Sequence, residues 1–540
     1  MDTTLTAPPD WQEQINSLMS KVTEQSTMIA KMQQLISYYE SQLLQFKRRQ
    51  FGVSSEKTFI DTDEYRQIGL LQEAGQEAGK RLPEPELEEI TYKRKKHVGK
   101  REEDLSGLPV ERIDYELPES ERACPQCGET RQDIGVDIRR DLKLIPAQVV
   151  VVEHASHTYA CGFCQKNSDS TPIIKAEAPT PLLPGSLASP SLVAHIGYQK
   201  YTNGMPLYRL EKGFIFDGVT ISRQTMASWV IKCSERFLTA IYALLIEIML
   251  AEYILHADET TIQVLREAGR AAQTKSFEWL YRTSGSSGHK IVIFDYKQTR
   301  KKEHPKEFLK DFKGFLHTDG YEGYHDLPPA ITVVGCWFHA RQKWENLLKI
   351  IPQDKRKGTD AERGVAFINH LFLLERQFKD LSPEERYAKR LEKSKPVAEA
   401  FFEWASSLGA LPKSKLGEAV TYALLQRKYL MNVYLDGRLE FSNNRAERSV
   451  KSFVMGRKAW LFSCTPEGAK ASSVMYSIME TAKENGLHPY QYVKFLLEKL
   501  PNATTAELES FLPWSESIPD YCKIPAKKEA DVHHTEKKRA

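Results

Sequence analysis

Tyr253-Ile-Leu-His-Ala-Asp258, Gly314-Phe-Leu-His-Thr-Asp-Gly320 and Ser442-Asn-Asn-Arg-Ala-Glu-Arg-Ser449 are the stretches on which the reading of this chain turns. The first two are short apolar runs that end on aspartate, the form of a strand emerging from a core at its polar end. Side chains alternate along a strand, so Ile254, His256 and Asp258 share one face and Glu259 points the other way. His317-Thr-Asp319 repeats His256-Ala-Asp258, so if the two strands are neighbours both aspartates face one site. The histidines then either support them from behind or simply pack in the core. The third stretch opens a helix with Ala446, Val450 and Phe453 on its apolar face and Asn444, Glu447, Arg448 and Lys451 on or beside the other. Two carboxylates at strand ends and one on a late helix make a donor set for two magnesium ions, which is what cutting and rejoining phosphodiester bonds requires. Blander readings stand beside this one. Each aspartate also reads as a strand end in a solvated turn, and Asn444-x-x-Glu447 has the spacing of a helix-start capping pair.

Around these stretches the pattern is α/β. Strands are expected at Tyr253–Val264, Phe277–Thr283, His289–Tyr296, Gly314–Thr318 and Thr332–Cys336, with Ser284-Gly-Ser-Ser-Gly288 turning between the second and third. Helices near Lys306–Phe312 and from His339 to Ile351 interleave with the later strands, which predicts a mixed sheet. Residues 352–435 read as a helical insertion, after which the α/β domain (251–351) resumes over 436–486. Residues 487–520 read as a C-terminal helical segment and 521–540 as a disordered tail. Upstream, 178–250 is helical. There, Leu207–Gly213 and Ser222–Trp229 are spaced like a helix-turn-helix, with Ser222 as N-cap presenting Arg223 and Gln224 to DNA, or like an ordinary helical pair in a core.

The N-terminal third has a different grammar. Trp11, Ile15, Leu18, Val22, Gln25, Ile29, Met32, Ile36, Tyr39, Leu43 and Phe46 step by three and four residues, which predicts a coiled coil over 11–50 that pairs subunits or packs on its own chain. Residues 51–120 read as a charged linker. Cys124-Pro-Gln-Cys127 and Cys161-Gly-Phe-Cys164 are two Cys-x-x-Cys knuckles flanking β-rich runs, among them Gln148-Val-Val-Val-Val-Glu153. They define a β-rich zinc-binding domain over 121–177. Four thiolates close the tetrahedron, so this zinc is structural. The chain holds eight cysteines, and the remaining four (Cys233, Cys336, Cys464, Cys522) are scattered, as in a reducing cytosol.

At 540 residues several domains are expected, and a net charge of +3 says little about partners. Local basic clusters such as Lys93–Lys96 say more. The absence of an apolar run of about 18 residues predicts no membrane span, and Met1–Asp10 lacks the pattern of a secretory signal.

With these residues in view, the chain resembles the insertion-sequence-66 family of bacterial transposases. The matching stretches are Phe51-Gly-Val-Ser-Ser-Glu-Lys57, Cys124-Pro-Gln-Cys127-Gly, His256-Ala-Asp-Glu-Thr260, His317-Thr-Asp-Gly-Tyr321, Asn443-Asn-Arg-Ala-Glu-Arg448 and Gly456-Arg-Lys-Ala-Trp-Leu-Phe462. The resemblance implies a ribonuclease-H-like catalytic domain with an Asp-Asp-Glu triad at Asp258, Asp319 and Glu447. It implies Mg2+ or Mn2+, element-end DNA as substrate, and transfer of a 3′-hydroxyl into target DNA. It also implies possible accessory proteins of the same element. The heptad spacing and the cysteine usage add the expectation of a cytoplasmic, DNA-associated protein that assembles as a homo-oligomer through the coiled coil. Arg448, Lys451, Arg457 and Lys458 are expected to hold phosphates, and Trp460 either stacks on an unpaired base or packs in the core. The rival readings are a non-catalytic zinc-containing coiled-coil DNA-binding regulator and a nuclease or resolvase that cuts without joining.

Overall fold

The structure is a computed structural model that describes residues 16–17, 19–23, 25–26, 28, 148–160 and 173–525. The chain divides into two compact units. Of the described residues, 16–28 and 179–522 belong to the first, and 148–160, 173–178 and 523–525 to the second. The described residues between 16 and 28 are helical. Most of the expected coiled coil, the linker, the four knuckle cysteines and the tail beyond 525 lie outside the described residues.

In the second unit β1 (Thr158–Ala160) pairs antiparallel with β2 (Ile173–Lys175). The expected strand at Gln148–Glu153 is a correction. Residues 148–157 take no strand structure, and Val149 to Val152 are all exposed. β-Branched side chains favour an extended backbone, but a strand is stabilised by cross-strand neighbours, and among the described residues none pairs with these valines.

The first unit is built on a five-stranded mixed sheet of β3 (Ile254–Gln263), β4 (Lys275–Thr283), β5 (Val292–Lys297), β6 (Gly314–Thr318) and β7 (Ile331–Gly335), in the order β5-β4-β3-β6-β7. β3, β4 and β5 form antiparallel hairpin pairs, while β6 lies parallel to β3 and β7 parallel to β6. Alternation along β3 sends Leu255 and Ala257 into one core and Ile254 into another. At the sheet's start Gly314 has φ 146°, and a Cβ there would come within 2.2 Å of the Tyr253 carbonyl oxygen, so the close approach of β6 to β3 needs a glycine.

The first core is closed by helices before and after the sheet: α1 (Pro190–Gly197), α2 (Leu207–Phe216), α3 (Arg223–Cys233), α4 (Thr239–Leu250), then, after the sheet, Asn444–Trp460, Pro466–Glu484 and Pro489–Lys499. Ser222 accepts from Thr225 N at 3.1 Å and caps α3, whose Met226, Trp229, Val230 and Cys233 are buried. The segment from Ser234 to Leu238 winds more widely and joins α3 to α4.

α5 (Glu303–Phe308) links β5 to β6, and α6 (Trp337–Ile350) follows β7. Next comes the helical block of α7 (Asp360–Gln377), α8 (Pro383–Lys389), α9 (Lys395–Ser407) and α10 (Lys415–Met431), which carries the second core. Trp337, Trp344 and Phe401 are fully buried there, and truncating one such aromatic to alanine costs about 3–5 kcal/mol. Arg390 is buried beneath this block. It pairs with Glu375 and donates to the carbonyls of Asp436 at 3.1 Å and Leu439 at 2.8 Å, which fixes the chain as it returns to the sheet.

β5 is an edge strand, and its free amides are covered by α12 (Pro466–Glu484). Phe294 N donates to Ser477 Oγ at 2.8 Å and Val292 N to Thr481 Oγ1 at 3.0 Å. These hydroxyls lie one helical turn apart on one face, so a helix satisfies backbone donors that would otherwise recruit another strand.

Candidate active site

Each sequence-expected carboxylate is delivered by a different element. The parallel pairing of β3 and β6 sets Ile254 opposite Phe315, Leu255 opposite Leu316 and His256 opposite His317. Asp258 and Asp319 each lie two residues further on. Asp319 follows the end of β6, but Asp258 is not the strand end the sequence suggested: it sits within β3, opposite Leu280 of β4, because β3 runs on to Gln263. Asp258 Oδ1 accepts from Glu259 N at 2.8 Å, and Asp319 Oδ1 accepts from Tyr321 N at 2.9 Å. The helical block buttresses the second aspartate, because Tyr422 of α10 donates to the Asp319 carbonyl at 2.8 Å.

Glu447 sits in the first turn of α11 (Asn444–Trp460). The capping alternative is not what the structure shows. Asn443, and not Asn444, is the N-cap residue, and its side chain makes no cap bond. Asn443 is directed elsewhere: its Nδ2 donates to the Ala257 carbonyl at 2.8 Å, and its Oδ1 is 3.0 Å from His256 Nδ1. The helix start is thus tied to β3 one residue before Asp258. Arg282 of β4 adds a second tie, donating to Ser449 Oγ at 2.6 Å and to the Arg445 carbonyl at 3.2 Å while pairing with Glu484 at 2.9 Å.

The two histidines of the repeated His-x-Asp pattern pack as a buried pair, stacked with ring centroids 4.4 Å apart. Burial drives both toward the neutral form, His256 down to about 4 and His317 well below the usual imidazole range. His317 Nε2 accepts from Glu440 N at 3.3 Å. Through His256 and His317 the sheet grips residues 440–443, so they position the Glu447 helix from behind.

Asp258 and Glu447 both feel neighbouring carboxylates. Asp258 is half-buried, and its carboxyl is pushed well above the usual carboxylate range, first by burial and then by the negative neighbours Glu259, Asp319 and Glu447. Glu447 is raised too, by burial first. Asp319 adds to the rise, while His339 and Arg448 oppose it. Glu259, read as pointing away, is engaged elsewhere: it accepts from Arg300 Nε at 2.8 Å and from Tyr324 at 2.8 Å. Converging like charges in a low-dielectric setting cost energy that a bound divalent cation would relieve. Among the described residues Glu447 Oε1 is buried without a hydrogen-bond partner. That orphaned oxygen and the hard oxygen donor set fit a divalent ion.

Two site residues had no clear sequence signal. Cys336 Sγ, His339 and Glu447 offer donor atoms all within 4.8 Å of one another. His339 Nδ1 is 3.6 Å from Glu447 Oε1. The Cys336 thiol is pushed up to about 12 by burial and by Glu447, and it accepts from Asn443 N at 3.1 Å, so at neutral pH it is a protonated bracket for the same loop. The Cys336-x-x-His339 spacing at a helix start was the available clue.

Residues 185–471 match the family described as "Transposase IS66 family", a span that holds Asp258, Asp319 and Glu447. The chain belongs to the IS66 transposase family. Further matches are the zinc-finger binding domain of transposase IS66 over 121–165, the IS66 C-terminal element over 477–514, and Transposase C of IS166 homeodomain over 38–113. The zinc-finger match spans Cys124, Cys127, Cys161 and Cys164, which supports zinc as a ligand of this IS66 protein. Similar chains include the uncharacterized protein y4qI of Sinorhizobium fredii (strain NBRC 101917 / NGR234), 30% identical over 75% of this chain and 76% of the relative. The uncharacterized protein y4hP of the same strain is 29% identical over 78% of each.

The other expected DNA contacts are distributed unevenly on this IS66 chain. Arg448, Lys451 and Lys458 are exposed on α11, and Arg223 and Gln224 are exposed at the start of α3. Arg457 is a correction. Its guanidinium turns inward to the Thr261 carbonyl and, at 3.0 Å, to Thr260 Oγ1, so it braces α11 against β3. Trp460 is buried, with its ring centroid 5.6 Å from that of Phe453, and takes the core alternative. Among the described residues no helix is long and apolar enough to cross a membrane.

Proposed function

We propose that this IS66-family chain is a DNA transposase that cleaves element ends and joins the freed 3′-hydroxyl to target DNA. Asp258, Asp319 and Glu447 are its metal-holding carboxylates. What carries this reading is the placing of Asp258 on β3, Asp319 just after β6 and Glu447 on α11, with Asp258 and Glu447 both raised in part by Asp319, beside a buried Glu447 oxygen that has no hydrogen-bond partner. A ribonuclease-H-like classification of the sheet is supported by its order, three antiparallel strands followed by two parallel ones on the far side of β3. Bound Mg2+ or Mn2+ would supply activation of the attacking hydroxyl and stabilisation of the leaving oxygen.

The chain's own residues do the rest. Asp258, held within β3, and Asp319, just past the end of β6, orient the donor oxygens. Glu447 approaches from the helix, held by Asn443, Cys336 and the stacked histidines, with His339 beside its carboxylate. Arg448, Lys451 and Lys458 hold the phosphate backbone. Cys124, Cys127, Cys161 and Cys164 bind a structural zinc. The heptad segment pairs subunits so that two ends are processed together.

The test incubates full-length protein and Mg2+ with duplex DNA carrying the inverted repeat that flanks its gene. Cleavage and strand-transfer products are expected from the wild type and none from Asp258→Asn. Equal cleavage by the variant overturns the assignment, and cleavage without joining favours a nuclease.

A further inference from the structure

We propose that Leu461 and Phe462 form an apolar wedge that enters duplex DNA about five to six base pairs from the carboxylates and opens a base step there. The proposal rests on the reading of this chain as a DNA-cutting enzyme and adds a distortion of the substrate to it.

Leu461 is the one non-glycine residue with positive φ among the described residues, at φ 69° and ψ −51°. Phe462 N donates to the Trp460 carbonyl at 2.9 Å, which closes a γ-turn of the rare, strained hand. Such a conformation persists only where surroundings impose it. Here they do. Leu461 N donates to the Arg457 carbonyl at 2.7 Å, Ser463 N to the Gln263 carbonyl at 2.9 Å, and Leu265 N to the Ser463 carbonyl at 3.0 Å. The turn is clamped between the end of α11 and the end of β3, the two elements that carry Glu447 and Asp258.

The residue held in this turn does not pack in the core. Leu461 is 61% exposed and Phe462 38% exposed. A glycine or asparagine would adopt the turn at lower cost, and an exposed leucine gains nothing from burial. What the strain accomplishes is display: two adjacent apolar side chains at a rigid tip.

The surface leading to the tip identifies its partner. On α11, Glu447, Lys451 and Lys458 recur at helical spacing on one face, with Arg448 and Met455 on the adjoining stripe. Lys451, Lys458, Arg448 and Met455 are all exposed. A basic track thus runs from the carboxylates to the apolar tip over about 20 Å of helix, at about 1.5 Å per residue. A polymer with repeating negative charge outside and stacked apolar faces inside fits that sequence of features, and duplex DNA is such a polymer. Leucine and phenylalanine are side chains that wedge between base steps.

The experiment uses full-length protein and the inverted-repeat duplex, with 2-aminopurine placed in turn at each terminal position. Wild type and Asp258→Asn are both expected to raise fluorescence at one position, about five to six base pairs from the cut, because an unstacked base is no longer quenched. Leu461→Ser/Phe462→Ser is expected to lose that rise and to cut paired DNA roughly tenfold or more slowly, since unstacking is no longer offset. A mismatch at the reporting position should restore its cleavage to near wild type, which a merely misfolded variant would not show. No localised rise in wild type, or no mismatch rescue, overturns the wedge. So does a double variant that keeps the fluorescence rise but assembles into smaller complexes, which would make the tip a subunit contact. Inactivity of Asp258→Asn together with any of these outcomes leaves the transposase reading standing, so the two ideas fail separately.

Discussion

Asp258 on β3 and Glu278 on the adjacent β4 are both carboxyls held well above the ordinary range, and burial is the first cause for each. Their surroundings differ. Glu278 is fully buried and accepts from Ser473 Oγ at 2.9 and 3.2 Å beneath α12. Its burial favours the neutral carboxyl, and it packs as part of the core. Asp258 is half-buried, and the next largest influences raising it are the carboxylates Glu259 and Asp319. Burial alone therefore does not mark a site. The like charges around Asp258 are what set the two carboxyls apart.

Activity is where the two carboxyls should part most. Asp258→Asn is expected to lower cleavage of end DNA by roughly a thousandfold or more, the scale seen when one member of a catalytic set is removed. Glu278→Gln should cleave at close to the wild-type rate. A gel assay of both variants side by side breaks the comparison if they behave alike.

Stability should show the reverse. Ser477→Val removes the acceptor for Phe294 N in the sealed seam, and an unsatisfied buried donor costs about 1–3 kcal/mol. Asp258→Asn relieves repulsion and should unfold no more easily than the wild type in urea. A destabilised Asp258→Asn protein would mean the aspartate is structural.

The tip of α11 offers an intermediate effect. Leu461→Gly should stabilise the fold by about 1 kcal/mol, because a strained backbone conformation costs about 1–3 kcal/mol and glycine adopts it more easily. Its removal of an apolar surface should nonetheless slow cleavage. Denaturant midpoints and rates measured together check whether strain and function share this residue.

The smallest effect is the dependence on pH. A carboxyl whose folded-state pKa is raised holds its proton more tightly folded than unfolded. Stability is therefore present at low pH and is lost as pH rises from the ordinary carboxylate range through the raised value. Asp258, Glu447 and Glu278 all contribute in this direction. Magnesium should flatten the part due to Asp258 and Glu447 and leave the part due to Glu278. Thermal unfolding across pH with and without Mg2+, on wild type and Glu278→Gln, separates the two parts. An equal response of both to the metal would remove the distinction drawn here.

The strands of the sheet were legible because a strand buried on both faces reads as a short apolar run bounded by polar and turn residues. Observed β3 (Ile254–Gln263) lies within the expected Tyr253–Val264, and β6 falls on the expected residues. The helical block between β7 and α11 was legible from its uninterrupted helical period. Val149–Val152 misled because β-branching reports on local backbone preference and not on whether a partner strand exists. Arg457 and Trp460 were unreadable for a related reason. A guanidinium or an indole on a helix is polar or apolar in the sequence, but which way it faces depends on what packs beside it.

By itself, the sequence determined the elements, the order of the motifs and the family, since these depend on local period and on residue type at fixed spacing. Whether Glu447 capped its own helix or joined the aspartates was decided only in three dimensions. The Asn443 side chain is drawn to His256 and the Ala257 carbonyl and makes no cap bond, and Glu447 feels the charge of Asp319. Cys336 and His339 came beside Glu447 in the same way, through the parallel register that sets β7 beside β6, whose other neighbour is β3. Contacts between residues so far apart along the chain are set by packing, and packing has no period to read.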